Sequence, residues 1–175
     1  LRQLKVMQKI LPKTLSKKSG TGCMTSKHID LAAKHLSVAR MIAETYSKDP
    51  STKVGAMVLG SDGEPLVHAW NGFVRGADDS PHLYANREVK YRHIVHAEMN
   101  AIANAARVGA KLKGAVWYVT ECPCDKCIGP ILQTGPSAIY CYQPTEDFMS
   151  RWGDTVRFTV DLCKNLNVPL FMMKR

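Results

Sequence analysis

Hydrophobic residues recur every three to four positions between residues 26 and 47, a pattern that predicts an amphipathic helix. Ser26 is suited to cap its N-terminus, and the Asp49-Pro50-Ser51 stretch ends the pattern. The apolar positions of this helix are Ile29, Ala32, Ala33, Leu36, Ala39, Ile42 and Ala43. The segments "KVGAMVLG" and "PLVHAW" then flank a turn at residues 61–63, which predicts a hairpin of two strands.

The second half of the chain predicts three helices that alternate with three strands. The helical segments are "HAEMNAIANAAR", "CDKCIGPILQT" and "EDFMSRWGDTVRFTVDLCKNLN", and the strands are "GAVWYVT", "SAIYCY" and "VPLFMM". Gly109 and Gly135 are placed to end the first two helices, and Gly153 interrupts the third. This order predicts an α/β fold, a three-layer α/β/α sandwich whose five-stranded mixed central sheet is covered on both faces.

Residues 72–92 fit neither period, because glycine, proline and charged residues follow one another without a sustained pattern. We therefore expect a long loop there, and loops of this length in a compact domain are usually functional or mobile.

Charge divides the 175-residue chain into two parts. The formal charge is +9, but residues 1–23 contain six of the 24 basic side chains and no acidic one, which leaves 18 basic against 15 acidic residues from Met24 onward. We interpret residues 1–23 as a basic extension and residues 24–175 as one catalytic domain. Organelle targeting and binding of a polyanion remain alternatives for the extension. The apolar runs are too short to span a bilayer, so we expect a soluble, cytoplasmic protein without a membrane partner.

Three of the six cysteines lie within six residues, in "CPCDKC", which suggests metal binding rather than a disulfide framework. Cys124 and Cys127 present two sulfurs at the start of a predicted helix, and His96 begins another. If the two helix N-termini converge, these residues bind zinc with three protein ligands and leave a fourth position for water, as catalytic zinc sites do. Taken separately, the C-x-x-C pair also suits a redox pair or half of a structural zinc site, and His96 also suits a core position.

Glu98 and Pro123 complete two motifs, H-x-E and P-C-x-x-C, that are the signature of zinc-dependent nucleobase deaminases. Between Ser26 and Met173 the sequence resembles the cytidine and deoxycytidylate deaminase superfamily, and it is most similar to the deoxycytidylate (dCMP) deaminases. The similar segments are "SKDPSTKVGAMV", "WNG", "ADDS", "KYRHIVHAEMNAI" and "CPCDKC". The resemblance implies hydrolytic deamination of dCMP to dUMP with release of ammonia, which supplies dUMP for thymidylate synthesis.

The implied mechanism gives the motif residues distinct roles. Zinc bound by His96, Cys124 and Cys127 would lower the pKa of a bound water toward about 7 and so provide the nucleophile that attacks C4 of the pyrimidine. Glu98 would take a proton from the water, deliver it to ring N3 and later protonate the departing amine. One zinc ion per chain is expected, and Cys122, Cys141 and Cys163 are expected to be ordinary small apolar residues.

Substrate contacts are less sharply indicated. The resemblance implies that Asn71 hydrogen-bonds the sugar or base, and Tyr91 could form a wall of the sugar pocket. A 5′-phosphate requires cations, and the candidates are Lys53, Arg87, Lys90 and Arg92.

The resemblance also implies regulation and assembly. A nucleoside-triphosphate site for dCTP as activator and dTTP as inhibitor, with Mg²⁺, is expected at Gly72, Arg75 and Gly76, because glycine allows close approach and arginine matches phosphate geometry. A homohexamer is implied as well. Two alternatives remain open: a base deaminase that acts on RNA or DNA, as tRNA adenosine deaminases do, and a non-catalytic zinc-stabilised interaction module. The near-neutral domain makes nucleic acid the less favoured substrate.

Overall fold

The computed structural model describes residues 26–175. The predicted basic extension at residues 1–23 lies outside the described residues, so this division of the chain stays a prediction.

A five-stranded sheet forms the centre of the domain, with strand order β2-β1-β5-β6-β7. β1 pairs antiparallel with both β2 and β5, whereas β5, β6 and β7 are parallel, so the sheet is mixed as predicted. Its strands are β1 (Gly55–Leu59), β2 (Pro65–Trp70), β5 (Val116–Val119), β6 (Ala138–Tyr142) and β7 (Leu170–Met173). A separate antiparallel pair consists of β3 (Gly72–Phe73) and β4 (Ile94–Val95).

Helices cover both faces of the sheet because side chains alternate along each strand. On one face, buried residues of α1 (Ser26–Tyr46) pack with Leu59 and Tyr118. On the other, α4 (Ala97–Val108), α5 (Asp125–Gln133) and α6 (Glu146–Asn165) contribute to the main core around Trp117 and Val119. The predicted three-layer α/β/α architecture is confirmed.

The contact between α1 and β1 is very close. A side chain at Gly55 would collide with the backbone carbonyl oxygen of Ala39 in α1, so glycine is required there for the helix to lie directly on the strand. None of the helices in residues 26–175 is long and apolar enough to cross a membrane.

The prediction of one long loop at residues 72–92 was wrong. This segment contains β3, α2 (Pro81–Ala85) and most of α3 (Arg87–His93), which leads directly into β4. Asn86 caps α3, its side-chain oxygen accepting hydrogen bonds from the amides of Glu88 and Val89, and Phe73 stacks on Tyr84 with ring centroids 4.2 Å apart. These helices are too short to show a hydrophobic period, so a cap and one aromatic contact hold them instead.

The remaining boundaries follow the sequence pattern closely. Gly109 ends α4 in the left-handed conformation with φ 71°, and Gly135 follows α5 with φ 69°. The interruption predicted at Gly153 occurs one residue earlier, where Trp152 has non-helical angles inside α6. Cys122, Cys141 and Cys163 are buried in apolar surroundings, as predicted.

Candidate active site

His96 stands at the junction between β4 and α4. Gly72 and Phe73 of β3 pair with Val95 and Ile94 of β4, which fixes the backbone that enters the site. His96 then has extended angles (φ −68°, ψ 154°) as the N-cap residue of α4. Its backbone carbonyl accepts the amide hydrogen of Asn100, so the ring is projected from the first turn of a helix.

Cys124 occupies the equivalent position on α5. It is the N-cap residue (φ −78°, ψ 170°), and its carbonyl accepts the amides of Cys127 and Ile128. The chain reaches it directly from the end of β5 through Pro123, whose carbonyl accepts a hydrogen bond of 2.8 Å from the buried hydroxyl of Thr159 in α6. Cys127 lies one turn further along α5 and is 1% exposed.

The two helix N-termini converge as the sequence predicts. His96 Nδ1 lies 3.5 Å from Cys124 Sγ and 3.4 Å from Cys127 Sγ. Within the described residues, ligand atoms of these three side chains all come within 4.8 Å of one another. His96 is exposed and Cys124 partly so, which leaves one side of the cluster open to solvent.

The three side chains shift one another's pKa values. Hydrogen bonds from Cys127 and His96 lower the pKa of Cys124 to about 4, despite the opposing effect of burial. The same contact with Cys124 raises the pKa of Cys127 well above its ordinary range, helped by burial. The hydrogen bond to Cys124 also raises the pKa of His96. Cys124 is thus favoured as a thiolate, and Cys127 holds a proton that a metal ion would displace.

This donor set fits zinc. One imidazole nitrogen and two sulfurs are the ligands found in catalytic sites that keep a fourth position for water or substrate. Both helix N-termini add positive potential that favours thiolates. Calcium and magnesium prefer oxygen ligands, which these three side chains do not offer.

Glu98 is directed into the protein from the first turn of α4 and is only 4% exposed. Burial raises the pKa of its carboxyl group to about 7, against the opposing effects of a backbone hydrogen bond, His96 and Cys127. Near neutral pH both protonation states are therefore accessible, which suits a group that must accept and return a proton. A purely structural zinc site does not need such a proton-exchanging carboxylate.

Asn71 lies close to the site, but the protein itself occupies its hydrogen-bonding groups. Continuing the β3–β4 register by one residue places it opposite His96. Its Oδ1 accepts hydrogen bonds of 2.9 Å from the Ser47 hydroxyl and the Val54 amide. Its Nδ2 donates to the Thr52 carbonyl at 2.8 Å and to the Asp49 carboxylate at 3.5 Å. The predicted contact with substrate stays a prediction, and the observed contacts are structural.

The predicted phosphate-binding cations differ in how they are engaged. Lys90 is paired with the buried Asp49 at 2.7 Å, whereas Lys53 is exposed and donates to the Glu44 carbonyl at 3.2 Å. Arg87 donates to the hydroxyl of Tyr91 at 3.2 Å, and that tyrosine is 55% exposed. Arg92 forms an exposed ion pair of 2.8 Å with Glu88. Among the described residues, Lys53 and Arg87 are thus the candidates whose contacts are hydrogen bonds to uncharged groups rather than ion pairs.

Of the residues predicted for an effector, Arg75 contacts a groove between β2 and α4 through Asn104. Gly72 belongs to β3, Gly76 has a positive φ of 85°, and Arg75 donates to Asn104 of α4 at 2.7 Å. The groove has a volume of about 280 Å³. Its lining residues are Leu66, Val67, His68, Trp70, Asn104, Arg107 and Val108.

Two features of this region were missed in the sequence. Ser47 and Asp49 form a buried polar cluster with Asn71, although the Asp49-Pro50-Ser51 stretch was interpreted only as a helix stop. An aspartate followed by serine and threonine is a known turn signal, which could have indicated that the carboxylate caps the next amides. No sequence pattern indicated the role of Thr159, because its hydrogen bond to Pro123 joins residues 36 positions apart.

Comparisons with known proteins agree with this geometry. Residues 30–143 match the family model of the cytidine and deoxycytidylate deaminase zinc-binding region. An uncharacterized deaminase in the luxG 3′ region of Aliivibrio fischeri is 39% identical over 139 residues, which cover 79% of this chain and 90% of that protein. Deoxycytidylate deaminase of Mus musculus is 35% identical over 94 residues, 51% of this chain and 52% of that protein.

The fold is shared with solved structures. A crystal structure of dCMP deaminase from the cyanophage S-TIM5, in complex with dCMP and dUMP, superposes with a TM-score of 0.62 at 22% identity and covers 86% of this chain and 99% of that one. The matched region includes every zinc-ligand candidate and Glu98, and the described structure brings these residues together at one site. The chain belongs to the cytidine and deoxycytidylate deaminase family.

Proposed function

We propose that this protein catalyses the zinc-dependent hydrolytic deamination of dCMP to dUMP with release of ammonia. The observation that carries the proposal is the convergence of His96, Cys124 and Cys127 at two helix N-termini, next to the buried carboxyl group of Glu98. Relatives named deoxycytidylate deaminase support dCMP as the substrate. The product dUMP would serve thymidylate synthesis.

The chain's residues divide the chemical work. Zinc held by His96, Cys124 and Cys127 would supply an activated water molecule as nucleophile. Glu98 accepts a proton from the attacking water at its carboxylate and delivers it to ring N3. It then takes the proton of the new C4 hydroxyl and transfers it to the amine, so that the C4–N4 bond breaks, the C4 carbonyl forms and ammonia departs. Because burial raises the pKa of Glu98 to about 7, its carboxyl group can both accept and release a proton at neutral pH. The open side at His96 and Cys124 is the side from which a nucleotide would enter.

The substrate is tested by comparing dCMP, cytidine, dCTP and an RNA oligonucleotide, with loss of the cytosine or adenosine absorbance as the signal. We expect dCMP to have the highest kcat/KM, at least about 10-fold above deoxycytidine, which is added because it lacks only the phosphate, since one charge-assisted hydrogen bond to that group is worth about 1.5–3 kcal/mol. If the oligonucleotide is deaminated and dCMP is not, the protein is a nucleic-acid deaminase and the proposal is wrong. Bound zinc without any turnover would indicate a non-catalytic module.

Regulation by a nucleoside triphosphate is the finer part of the proposal. The groove between β2 and α4 supports it, because Trp70 and Arg107 line it and Arg75 donates a hydrogen bond to Asn104, another lining residue. In the same assay, dCTP with Mg²⁺ is expected to raise dCMP turnover at low substrate concentration, and dTTP is expected to lower it. Activity unchanged by either nucleotide would remove the regulatory part and leave the deaminase proposal intact. Assembly as a hexamer remains a proposal of the same kind, to be measured by light scattering.

A further inference from the structure

Asp49 is an ionised carboxylate in the interior of the domain. It is 1% exposed, yet its Oδ1 accepts hydrogen bonds from the Ser51 amide at 2.9 Å, the Ser51 hydroxyl at 3.0 Å and the Thr52 amide at 3.1 Å. Lys90 approaches both oxygens, at 2.8 Å to Oδ1 and 2.7 Å to Oδ2. Burial alone would raise the pKa of Asp49, but the bonds from Lys90 and Ser51 outweigh it and hold the pKa below its usual value.

The turn at residues 49–52 does not require the ion pair between Asp49 and Lys90. The amides of Ser51 and Thr52 need only one carboxylate oxygen, which an asparagine side chain could also supply. The second oxygen is used by Lys90, whose side chain is 12% exposed, and by Asn71. Burying two charges is costly, and such pairs are weak devices for stability alone. This cost suggests that the pair fixes a particular arrangement of the chain.

The two partners of Asp49 that are distant in sequence both belong to segments that lead to His96. Lys90 is in the middle of α3, which ends at His93. The strand β4 follows directly, and His96 is the next residue after it. Asn71 directly precedes β3, whose Gly72 pairs with Val95, the residue before His96. Ser47 reinforces this second route, because its hydroxyl donates to the carbonyl of Asn71 at 3.0 Å. One carboxylate is therefore connected to both sides of the β3–β4 pair.

We propose that Asp49 is a positioning residue of the deaminase site, which through Lys90 and Asn71 fixes the β3–β4 pair against the main sheet and thereby sets the position of His96 relative to Cys124 and Cys127. Asp49 does not touch the reacting atoms. The role in catalysis rests on the proposed function, but the role in ligand geometry does not.

The test is Asp49→Asn, which keeps an oxygen for the two turn amides and removes the charge that holds Lys90. We expect kcat for dCMP to fall about 10- to 100-fold at 25 °C, because small displacements of catalytic groups have effects of this size. The visible absorption spectrum of the cobalt-substituted protein is expected to change, because it reports the arrangement of ligands around the metal. Both are measured where circular dichroism shows the variant to be fully folded.

Asp30→Asn is the matched control, because Asp30 forms an ion pair of the same 2.7 Å length with Lys34 on the exposed side of α1. It should leave kcat and the cobalt spectrum unchanged. A second variant, Lys90→Met, removes the cation and keeps the apolar length, and it should reproduce the spectral change of Asp49→Asn.

The outcomes separate this inference from the proposed function. A folded Asp49→Asn protein with the parent's cobalt spectrum would overturn the positioning role, whatever its thermal stability. If the parent protein proves inactive on dCMP while the spectrum still changes in both variants, the proposed substrate is wrong and the positioning of His96 by Asp49 is supported.

Discussion

Replacing Glu98 by glutamine is expected to lower kcat for dCMP by about 10²- to 10⁴-fold, the usual contribution of a general acid–base group. Glutamine has nearly the same shape but cannot accept the proton that Glu98 must hold and return. The carboxyl group is 4% exposed and its pKa lies near 7, so removing the charge should cost little folding free energy at neutral pH. Steady-state kinetics with dCMP, beside zinc content and the thermal midpoint, measure the effect.

Glu146→Gln is the matched control, because Glu146 also lies in the first turn of a helix, at the start of α6, but is exposed. Its kcat should equal that of the parent. A Glu98→Gln protein with one zinc per chain and kcat within about tenfold of the parent would show that Glu98 is not the proton carrier, since that loss is below the range for such a group.

Replacing a candidate zinc ligand is expected to have a second large effect, on zinc affinity and on turnover. In Cys127→Ser we expect zinc affinity to fall by more than about 100-fold, because residues that merely orient metal ligands already cost about 10- to 100-fold when replaced. Turnover should disappear with the metal. The side chain of Cys127 is 1% exposed and one turn from Cys124, so serine fits the space but is a poor thiolate substitute. Competition with a chromogenic chelator measures the affinity.

Cys163→Ala serves as the control, because Cys163 is also buried at 1% exposure but belongs to the main hydrophobic core. It should bind zinc as the parent does, with a modest loss of stability. Unaltered zinc affinity in Cys127→Ser, or equal loss in Cys163→Ala, would contradict the assignment of the metal site.

The metal site could be predicted from sequence because its parts are local. H-x-E and P-C-x-x-C each fix side chains within one helical turn, so the candidate ligands could be named from local motifs. The meeting of the two turns was a condition of that prediction, and the distances from His96 to the two cysteines fulfil this condition. The main sheet was predictable for a similar reason, since its strands and helices show clear hydrophobic periods.

The surroundings of the site depend on contacts between distant residues. Asp49 meets Lys90 across 41 positions and Asn71 across 22, and no local pattern encodes either pairing. The short helices α2 and α3 were missed because they depend on the Asn86 cap and the Phe73–Tyr84 stack rather than on periodicity. Lys90 was a candidate phosphate ligand because of its charge, but in the structure it forms an ion pair with the buried Asp49.

Hydrolysis at C4 of dCMP is tested by turnover of dCMP by the zinc-loaded protein in water enriched in ¹⁸O. We expect dUMP that carries one ¹⁸O at C4, with one ammonia released for each dUMP formed. Mass spectrometry of the product and an enzymatic ammonia assay measure the two quantities. Unchanged dCMP in the presence of protein with one zinc per chain would contradict the claim, as would dUMP without the label.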